Sequence, residues 1–487
     1  MFKIFRTLIL PNFIPMKKTY LLIFIPLLFF SKQIKAQCSG WNSFQTTDSV
    51  FTNPAFGIAT SPEADRLHRP YTYLAMVAGG VKVFDNNAAG NPILFSTISK
   101  ASLGNLDAIN LYQDSIWLYV CLGNIWDTTQ MAGLAIVDVS NPALPNVLDV
   151  YIHPGLKGGA GAVSVKGNYA YLAANQNGLV ILDISNKSNI LFKSSLLLSN
   201  NFPHTTVGLT SMYNARGIDV KGNYAYVCFD RGGFRIVDIS NVNALLQINQ
   251  YCFAPLIDNA TAYNNVVVHN NLAYVAIDYY GMEVLDVSNP LNIMQLGWWH
   301  PADWTNATNN INTWASALGH ANEIAYDSIC GKVYVAAGKS DIVAIDVNTP
   351  AMLTTCEIDG LVTDDYGTWG LDFFDGKVYA AYIWSPFAPP YSNYTGYRIT
   401  QTNCNAASLS ENNVSDKVLL FPNPSSNLVH VNIQGQQLKS LKVFTVTGKL
   451  VYETLNADFS IEQLSAGIYF VQVQTDKSSF VTKLIKD

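Results

Sequence analysis

A short apolar run that ends in aspartate occurs six times along the chain. The copies are GVKVFDN from Gly80, GLAIVDVS from Gly133, GLVILDIS from Gly178, GFRIVDIS from Gly233, GMEVLDVS from Gly281 and DIVAIDVN from Asp341. Mostly apolar and β-branched residues without alternation are typical of a strand that is buried on both faces. Successive aspartates are 45 to 60 residues apart, which indicates a series of repeated structural units.

A second segment, a tight turn followed by a strand, precedes several of these runs. The copies are KGNYAYLA from Lys166, KGNYAYVC from Lys221, HNNLAYVA from His269, GKVYVAA from Gly331 and GKVYAA from Gly376. Glycine and asparagine tolerate the positive φ of a tight hairpin turn. An apolar strand before the turn therefore pairs with the strand after it, and one unit is predicted to hold four antiparallel strands.

Sheets that are apolar on both faces must be covered on both faces, and radial stacking of successive sheets achieves this. The pattern thus predicts an all-β fold, a β-propeller of seven four-stranded blades, with six or eight blades as alternatives. The seventh unit is placed at residues 369–399. Its outermost strand is expected to come from residues 43–52, near the N-terminus.

These runs resemble the LVIVD-repeat family, whose motif appears here as LAIVD, LVILD, FRIVD and MEVLD. The resemblance covers residues 50–400. It implies a propeller of an extracellular or cell-surface protein, and it implies no common chemistry. The propeller domain is placed at residues 37–404.

After Cys404 the pattern changes. Residues 405–416 are polar and are predicted to be a linker, whereas residues 417–487 hold alternating strand-like segments and are predicted to form a small β-sandwich. The tail resembles the type A C-terminal sorting domain of the type IX secretion system of Bacteroidetes-type bacteria. The resemblance is carried by FPNPSSN from Phe421, TGKLVYE from Thr447 and LSAGIYFVQV from Leu464, with the motif positions Pro422, Asn423, Pro424, Gly448 and Gly467. It implies that the type IX machinery is a partner.

Residues 1–36 have the features of an export signal. Lys17 and Lys18 precede the apolar run 21–30, so Met16 is an alternative start, and Gln37 is the expected first mature residue. The apolar run is too short to span a bilayer. We therefore expect a mature chain without a transmembrane segment that is secreted or displayed on the outside of the cell.

Composition narrows the possible partners and chemistry. The net charge is −6 and no cluster of Lys and Arg is present, so a nucleic acid is not an expected partner. No HExxH, GxSxG or DxDxDG motif occurs, and no cofactor or metal is expected. The six repeated aspartates stand just before turns, where such side chains accept hydrogen bonds from backbone amides, so a structural role is predicted for them.

The chain has seven cysteines, and an odd number leaves at least one thiol free or paired between chains. Cys121 and Cys228 hold equivalent positions in two units, and both are predicted to be buried and free. Cys330 and Cys356 lie two strands apart in one unit, which is too far for a disulfide. The predicted disulfide joins Cys38 to Cys404, at the start and the end of the repeat region.

The longer connections gather on one rim of the predicted propeller, opposite the short turns. Rigid scaffolds carry binding groups on such loops. The candidate ligand-binding residues there are His153, Arg216, Tyr263, Trp304, Trp314, His320, Glu323 and Trp369. The aromatic side chains suit sugar rings or peptide side chains, and packing of the loops is the alternative explanation for them. We expect a binding module for a glycan or a protein.

Two other function classes remain open. An enzyme that degrades polysaccharide or peptide would use channel-facing residues as acid, base and charge-stabilising groups, namely His153, Arg216, His320 and Glu323. For glycoside hydrolysis this requires a second carboxylate about 5 to 9.5 Å from Glu323. The other class is a structural adhesin component.

Overall fold

The computed structural model of the chain describes most of the repeat region and of the tail. The described residues are 38, 40–52, 58–87, 92–124, 129–155, 158–204, 213–257, 261–300, 321–338, 341–359, 367–383, 395–404, 419–421, 423, 425–432, 437–445, 449–476 and 479–486. The predicted signal at residues 1–36 and the predicted linker at 405–416 lie outside this set.

The described part of the repeat region forms seven four-stranded antiparallel sheets. Their strands are β1 (Trp41–Thr52), β2 (Ser61–Ala64), β3 (Tyr71–Ala75), β4 (Val81–Asp85), β5 (Ile93–Ile98), β6 (Ala108–Asp114), β7 (Trp117–Leu122), β8 (Gly133–Asp138), β9 (Asn146–Ile152), β10 (Ala162–Lys166), β11 (Tyr169–Ala173), β12 (Leu179–Asp183), β13 (Leu191–Leu196), β14 (Gly217–Lys221), β15 (Tyr224–Cys228), β16 (Phe234–Asp238), β17 (Leu246–Tyr251), β18 (Ala262–His269), β19 (Leu272–Asp278), β20 (Gly281–Asp286), β21 (Met294–Trp299), β22 (Ile324–Asp327), β23 (Lys332–Ala336), β24 (Ile342–Asp346), β25 (Thr354–Ile358), β26 (Thr368–Phe374), β27 (Lys377–Tyr382) and β28 (Thr395–Cys404). In the same described part of the chain, short 3-10 helices lie at Ala101–Leu103 and Ala254–Leu256.

Six sheets take four consecutive strands each, from β2–β5 to β22–β25, and the seventh has the order β1-β28-β27-β26. The first strands β2, β6, β10, β14, β18, β22 and β26 touch one another in that order, and β26 touches β2. The sheets therefore close into a ring around a central channel. Apolar side chains fill the spaces between sheets, as where Ile136 of β8 shares a cluster with Leu172 of β11. The fold is a β-propeller.

The turns follow the chemistry of the repeats. Gly167 and Gly222 have φ values of 58° and 55°, which a tight turn between the first and second strands requires. Each repeated aspartate accepts a backbone N–H from the residue two positions later, at 2.8–2.9 Å; the six are Asp85, Asp138, Asp183, Asp238, Asp286 and Asp346. The predicted structural role of these aspartates is thus confirmed. Hydrogen bonds from Ser185 lower the pKa of Asp183, because they stabilise its charged form.

The seventh sheet combines both ends of the repeat region. β1 pairs antiparallel with β28, from Trp41 opposite Cys404 to Thr52 opposite Thr395. The prediction that an N-terminal segment completes the last sheet is confirmed. β1 also contacts the neighbouring sheet, because Trp41 Nε1 and the Phe44 backbone N–H both donate to Glu357 Oε2 of β25, at 2.9 and 2.8 Å.

The predicted disulfide between Cys38 and Cys404 is wrong, because Cys38 is bonded to Cys356 of β25. The ends of the region do meet, but the backbone turns at Cys38, whose carbonyl accepts the Trp41 N–H at 3.1 Å. This turn brings Cys38 to the neighbouring sheet, so the disulfide joins two sheets. Cys330 is also disulfide-bonded, and the side chain of Cys404 lies outside the described residues.

Three cysteines in the described part of the chain are free and buried, namely Cys121, Cys228 and Cys252. The predictions for Cys121 and Cys228 are thus confirmed. Burial raises the pKa of the Cys121 thiol, because a thiolate would be poorly solvated there. These cysteines therefore act as small apolar residues of the core.

The described residues of the tail form a three-stranded sheet, β29-β30-β33, and a four-stranded sheet, β32-β31-β34-β35. Their bounds are β29 (Leu419–Phe421), β30 (Leu428–Asn432), β31 (Leu438–Thr445), β32 (Leu450–Thr454), β33 (Asp458–Ser460), β34 (Gly467–Thr475) and β35 (Ser479–Lys486). Val429 and Phe459 of the first sheet share a core with Val443 and Val471 of the second, so the two sheets pack face to face.

Part of the tail motif can be located. Asn423 holds β35 with two hydrogen bonds, because its Nδ2 donates to the Lys483 carbonyl at 2.7 Å and its Oδ1 accepts the Ile485 N–H at 2.8 Å. Gly467 begins β34. The other motif positions lie outside the described residues, namely Pro422, Pro424 and Gly448.

Candidate ligand site at the mouth of the central channel

All seven sheets contribute residues to one end of the channel. The residues stand at or near the start of the first strands and are Thr60, Ile109, Asn110, Gly161, Arg216, Asn264, Asn265, Asn322, Glu323 and Trp369. We call this set the mouth ring. It surrounds a cavity of about 50 Å³. A larger cavity of about 220 Å³ adjoins it along the channel and is lined by residues of the first strands.

Irregular pairing positions several side chains of the mouth ring. The register between the first and second strands shifts around Ile109 in β6, around Asn264 in β18, and between Thr368 and Leu371 in β26. A bulge bends its strand and turns the inserted residue away from the regular alternation. The third shift contains Trp369, so an asparagine and a tryptophan of the mouth ring both lie at such irregularities.

Asn264 belongs to a network of side-chain amides. Its Nδ2 donates to the Ala321 carbonyl at 3.1 Å and to Asn322 Oδ1 at 3.3 Å. Its own Oδ1 is buried and accepts no hydrogen bond from the described residues. A buried acceptor without a donor costs about 1–3 kcal/mol. A water molecule or a ligand that donates a hydrogen bond to the Oδ1 of Asn264 therefore stabilises the protein.

Arg216 brings a positive charge to the mouth ring. Its Nε donates to Asp230 Oδ2 at 3.0 Å, and Asn214 Nδ2 donates to the same oxygen at 3.0 Å. Burial acts to lower the pKa of Arg216, but the charge and hydrogen bond of Asp230, together with Asp278 and Tyr279, outweigh burial and the pKa is raised. Its two Nη atoms make no hydrogen bond to another described residue, so they remain available for an acceptor.

Glu323 connects opposite parts of the ring. Its Oε1 accepts a hydrogen bond from Asn110 Nδ2 at 2.6 Å, and its Oε2 accepts the Leu371 N–H at 2.8 Å. Burial raises the pKa of Glu323 to about 8, because removal from water disfavours the charged carboxylate. The side chain is thus a neutral acid at slightly acidic pH and becomes an anion in mildly alkaline solution.

The stability of the protein should fall as pH rises from about 5 to 8. Burial raises the pKa of Glu323 from 4.5 to about 8 in the folded state, and it also raises the pKa of Glu63, although the neighbouring Arg66 acts against this shift. Between these values the folded chain binds more protons than the unfolded chain, so the free energy of unfolding decreases with pH, by at most about 1.4 kcal/mol per pH unit for each group. Urea unfolding at a series of pH values measures this slope.

Glu323→Gln should make that slope smaller, because glutamine resembles the neutral acid and does not titrate. The exposed Glu462→Gln is the matched control and should leave the slope unchanged. An unchanged slope in Glu323→Gln would mean that the carboxyl group is not protonated in the folded state below pH 8.

Two other candidates lie away from the mouth cavity. His153 follows β9, the outermost strand of its sheet, so it does not line the channel; its Nδ1 lies 2.5 Å from the Tyr151 hydroxyl, and its ring contacts Phe192. Tyr263 is fully buried, and its hydroxyl accepts the Phe253 N–H at 3.0 Å. The candidates Trp304, Trp314 and His320 lie outside the described residues.

Arg216, Glu323 and Trp369 of the mouth ring are among the candidates predicted from sequence, whereas its side-chain amides are not. Asn110, Asn264 and Asn322 belong to the same structural position, around the start of the first strand of a unit. An alignment of the repeats within the chain reveals these residues, because several units carry a polar residue at that position.

A comparison with protein families gives two matches. The LVIVD repeat matches residues 128–152, 157–197, 214–251 and 262–296. The secretion system C-terminal sorting domain matches residues 419–487. The chain carries LVIVD repeats and a type IX sorting domain. It is therefore an exported protein, secreted or displayed at the cell surface, as predicted, and the secretion machinery handles its tail. No helix in the described residues has the length and apolar character to cross a membrane.

Similar solved structures are β-propellers. PorZ, a bacterial surface component of the type-IX secretion system of Porphyromonas gingivalis, is 15% identical with a TM-score of 0.45; the match covers 86% of this chain and 58% of PorZ. The β-propeller domain of Cps50 (Swd1) from Myceliophteria thermophila is 9% identical with a TM-score of 0.48; the match covers 73% of this chain and 99% of that domain. YCF48 from Cyanidioschyzon merolae is 10% identical with a TM-score of 0.47; the match covers 73% of this chain and 99% of YCF48.

The chain spans less than two thirds of the length of PorZ. No curated protein matches the chain. At these identities the similarity concerns the fold alone, and a fold of this kind hosts many functions.

Proposed function

We propose that this protein is a secreted or cell-surface binding module whose mouth ring holds a polar group of an extracellular glycan or protein. The observation that carries the proposal is the buried, unpaired Oδ1 of Asn264 among polar side chains from neighbouring sheets. A hydroxyl or amine of a ligand that donates to this oxygen satisfies it. A few convergent polar groups at a concave site are typical of ligand recognition.

The size of the cavity limits what enters it. A volume of about 50 Å³ admits a few water-sized groups, so only the end of a ligand fits, such as a hydroxyl-bearing or amide-bearing group. The Nη atoms of Arg216 then supply donors to its oxygens, and Trp369 supplies an aromatic surface for the part that remains outside. This combination suits a sugar unit at a chain end or a polar loop of a protein.

Thermal unfolding of the full chain with a panel of plant, algal and bacterial polysaccharides and of peptides tests the proposal. A ligand at about 100 times its Kd adds roughly 2.7 kcal/mol to stability. We expect one ligand class to raise the unfolding midpoint. Asn264→Ala should abolish this rise, because it removes the acceptor, whereas Asn189→Ala, an exposed asparagine between β12 and β13 at the other end of the sheet, should keep it.

Two results would count against binding at the mouth ring. The first is a ligand-induced rise that is equal in Asn264→Ala and in the unchanged chain, since the ligand then sits elsewhere. The second is no response to any member of the panel, which favours the structural adhesin component.

Degradation of a polysaccharide or peptide is the second candidate function. The observation in its favour is the raised pKa of Glu323, since an acid that titrates near neutral pH suits proton transfer. Against it, both carboxyl oxygens of Glu323 already accept hydrogen bonds within the chain. Release of shorter products from a panel member, lost in Glu323→Gln, would favour the enzyme over the binding module.

A further inference from the structure

The outer face of the larger tail sheet carries a cluster of apolar side chains, three of them exposed and two half-buried. The register places Leu450, Phe444 and Phe470 side by side across β32, β31 and β34. Ile468 and Ile485, which pair across β34 and β35, extend this cluster. Leu450, Ile468 and Phe470 are 41–45% exposed. We call these five residues the apolar outer face.

The smaller tail sheet differs in character. Its outward side chains include a polar contact between His430 Nδ1 and Asp458 Oδ1 at 2.5 Å, and a hydrogen bond from Ser460 Oγ to Asn427 Oδ1 at 2.8 Å. Leu428 is exposed there beside polar groups. A single exposed apolar residue is ordinary, whereas a contiguous apolar cluster marks an interaction surface. The larger sheet is therefore the better candidate for a partner.

Lysines border the apolar outer face. Lys483 lies opposite Phe470 in β35, Lys442 lies two residues before Phe444, and Lys449 directly precedes β32. The single carboxylate in the described strands of this sheet is Glu453, which forms an ion pair with Lys442 at 3.3 Å. Residues 417–487 contain seven lysines and five acidic residues, a net charge of +2, whereas the whole chain carries −6.

We propose that the apolar outer face is the surface by which the secretion machinery recognises the tail, and that the receptor offers an apolar surface with an acidic border. The lysine border supplies the charge complementarity for this partner. A second copy of the chain is a poorer occupant, because a symmetric contact through this face would bring two lysine borders together. The inference is independent of any ligand in the mouth ring.

Phe470→Glu in the full chain, expressed in a bacterium with a type IX secretion system, tests the proposal. The substitution removes an aromatic contact and places a carboxylate against the acidic border. We expect the fraction of the chain found outside the cell to fall at least tenfold, with the remainder retained in the periplasm. Immunoblots of the separated fractions measure this.

Leu428→Glu is the matched control, because it makes a similar change at a residue of the smaller sheet that is 57% exposed. Its export should equal that of the unchanged chain. Lys483→Glu tests the charged border and should reduce export several-fold, whereas Lys483→Arg should preserve it. Lys483 is exposed, so its substitution does not threaten folding, and circular dichroism of the purified full chains verifies that each variant is folded.

The proposal is overturned if Phe470→Glu and Lys483→Glu are exported as well as the unchanged chain. It is also overturned if the unchanged chain is a dimer in sedimentation and Phe470→Glu makes it a monomer without a change in export, since a second copy then covers the face. Loss of export in Leu428→Glu to the same extent would overturn the assignment to this face.

Discussion

Replacing Cys38 and Cys356 together with alanine should lower the free energy of unfolding by about 3–5 kcal/mol. The two cysteines are 318 residues apart in sequence, and a disulfide that closes so long a loop removes much of the entropy of the unfolded chain. The same disulfide ties β1 to the neighbouring sheet, beside the hydrogen bonds that Glu357 accepts. Its loss therefore also weakens the strand that completes the seventh sheet. Urea unfolding of the full chain measures the change.

Cys121→Ala is the matched control, because this cysteine is buried but free. It should cost about 1 kcal/mol, the effect of a small loss of packing. A double variant that unfolds within about 1 kcal/mol of the unchanged chain would contradict the prediction, and the contacts of Trp41 and Phe44 would then suffice to hold β1.

The architecture could be predicted from sequence because its causes are local and repeated. Lys166 to Asn168 make a tight turn whether or not distant residues are known, and Asp183 caps its strand through Ser185, two residues later. Six repetitions of such local signals define the unit. Stacking then follows, since a sheet that is apolar on both faces needs a neighbour on each side.

The features that the sequence analysis missed depend on contacts between distant residues. Asn110 meets Glu323 across the channel although 213 residues separate them. Cys38 meets Cys356 because a backbone turn, not the order of the chain, selects the neighbouring sheet. The assignment of β1 to the seventh sheet could be made from the sequence. The disulfide partner of Cys38 could not, because it depends on the direction from which the chain enters β1.

One position of the repeated motif departs from the apolar pattern in adjacent units. The residue two places after the motif glycine is Ala135 or Val180 in two copies, but it is Arg235 and Glu283 in the next two. Both charged side chains are fully buried. Lys82 holds this position in the first copy but is only half-buried. Charged residues at a position that is apolar in other copies were a visible signal, and the contacts between neighbouring units explain the two that are buried.

Arg235→Ala should lower the free energy of unfolding by about 3–5 kcal/mol. The Nη2 atom of Arg235 donates to the carbonyl oxygens of Ser199 and Phe202, at 3.1 and 2.9 Å. Its guanidinium lies 5.2 Å and 5.4 Å from the ring centres of Phe202 and Phe229. Burial lowers its pKa to about 10, so it stays charged at neutral pH. Truncation removes these cation–π contacts, leaves a cavity and deprives two carbonyl groups of a donor. Urea unfolding at neutral pH measures the loss.

Lys82→Ala is the matched control, because Lys82 holds the same motif position in the first copy but is only half-buried and donates to Thr97 Oγ1 at 3.4 Å. It should change stability by less than about 1 kcal/mol. Arg235→Lys should fall between the two, since an ammonium keeps the charge but lacks the planar guanidinium that lies against the rings of Phe202 and Phe229. If Arg235→Ala lowers the free energy of unfolding no more than Lys82→Ala does, the guanidinium on β16 does not stabilise the segment that follows β13. Apolar packing alone then joins these two sheets.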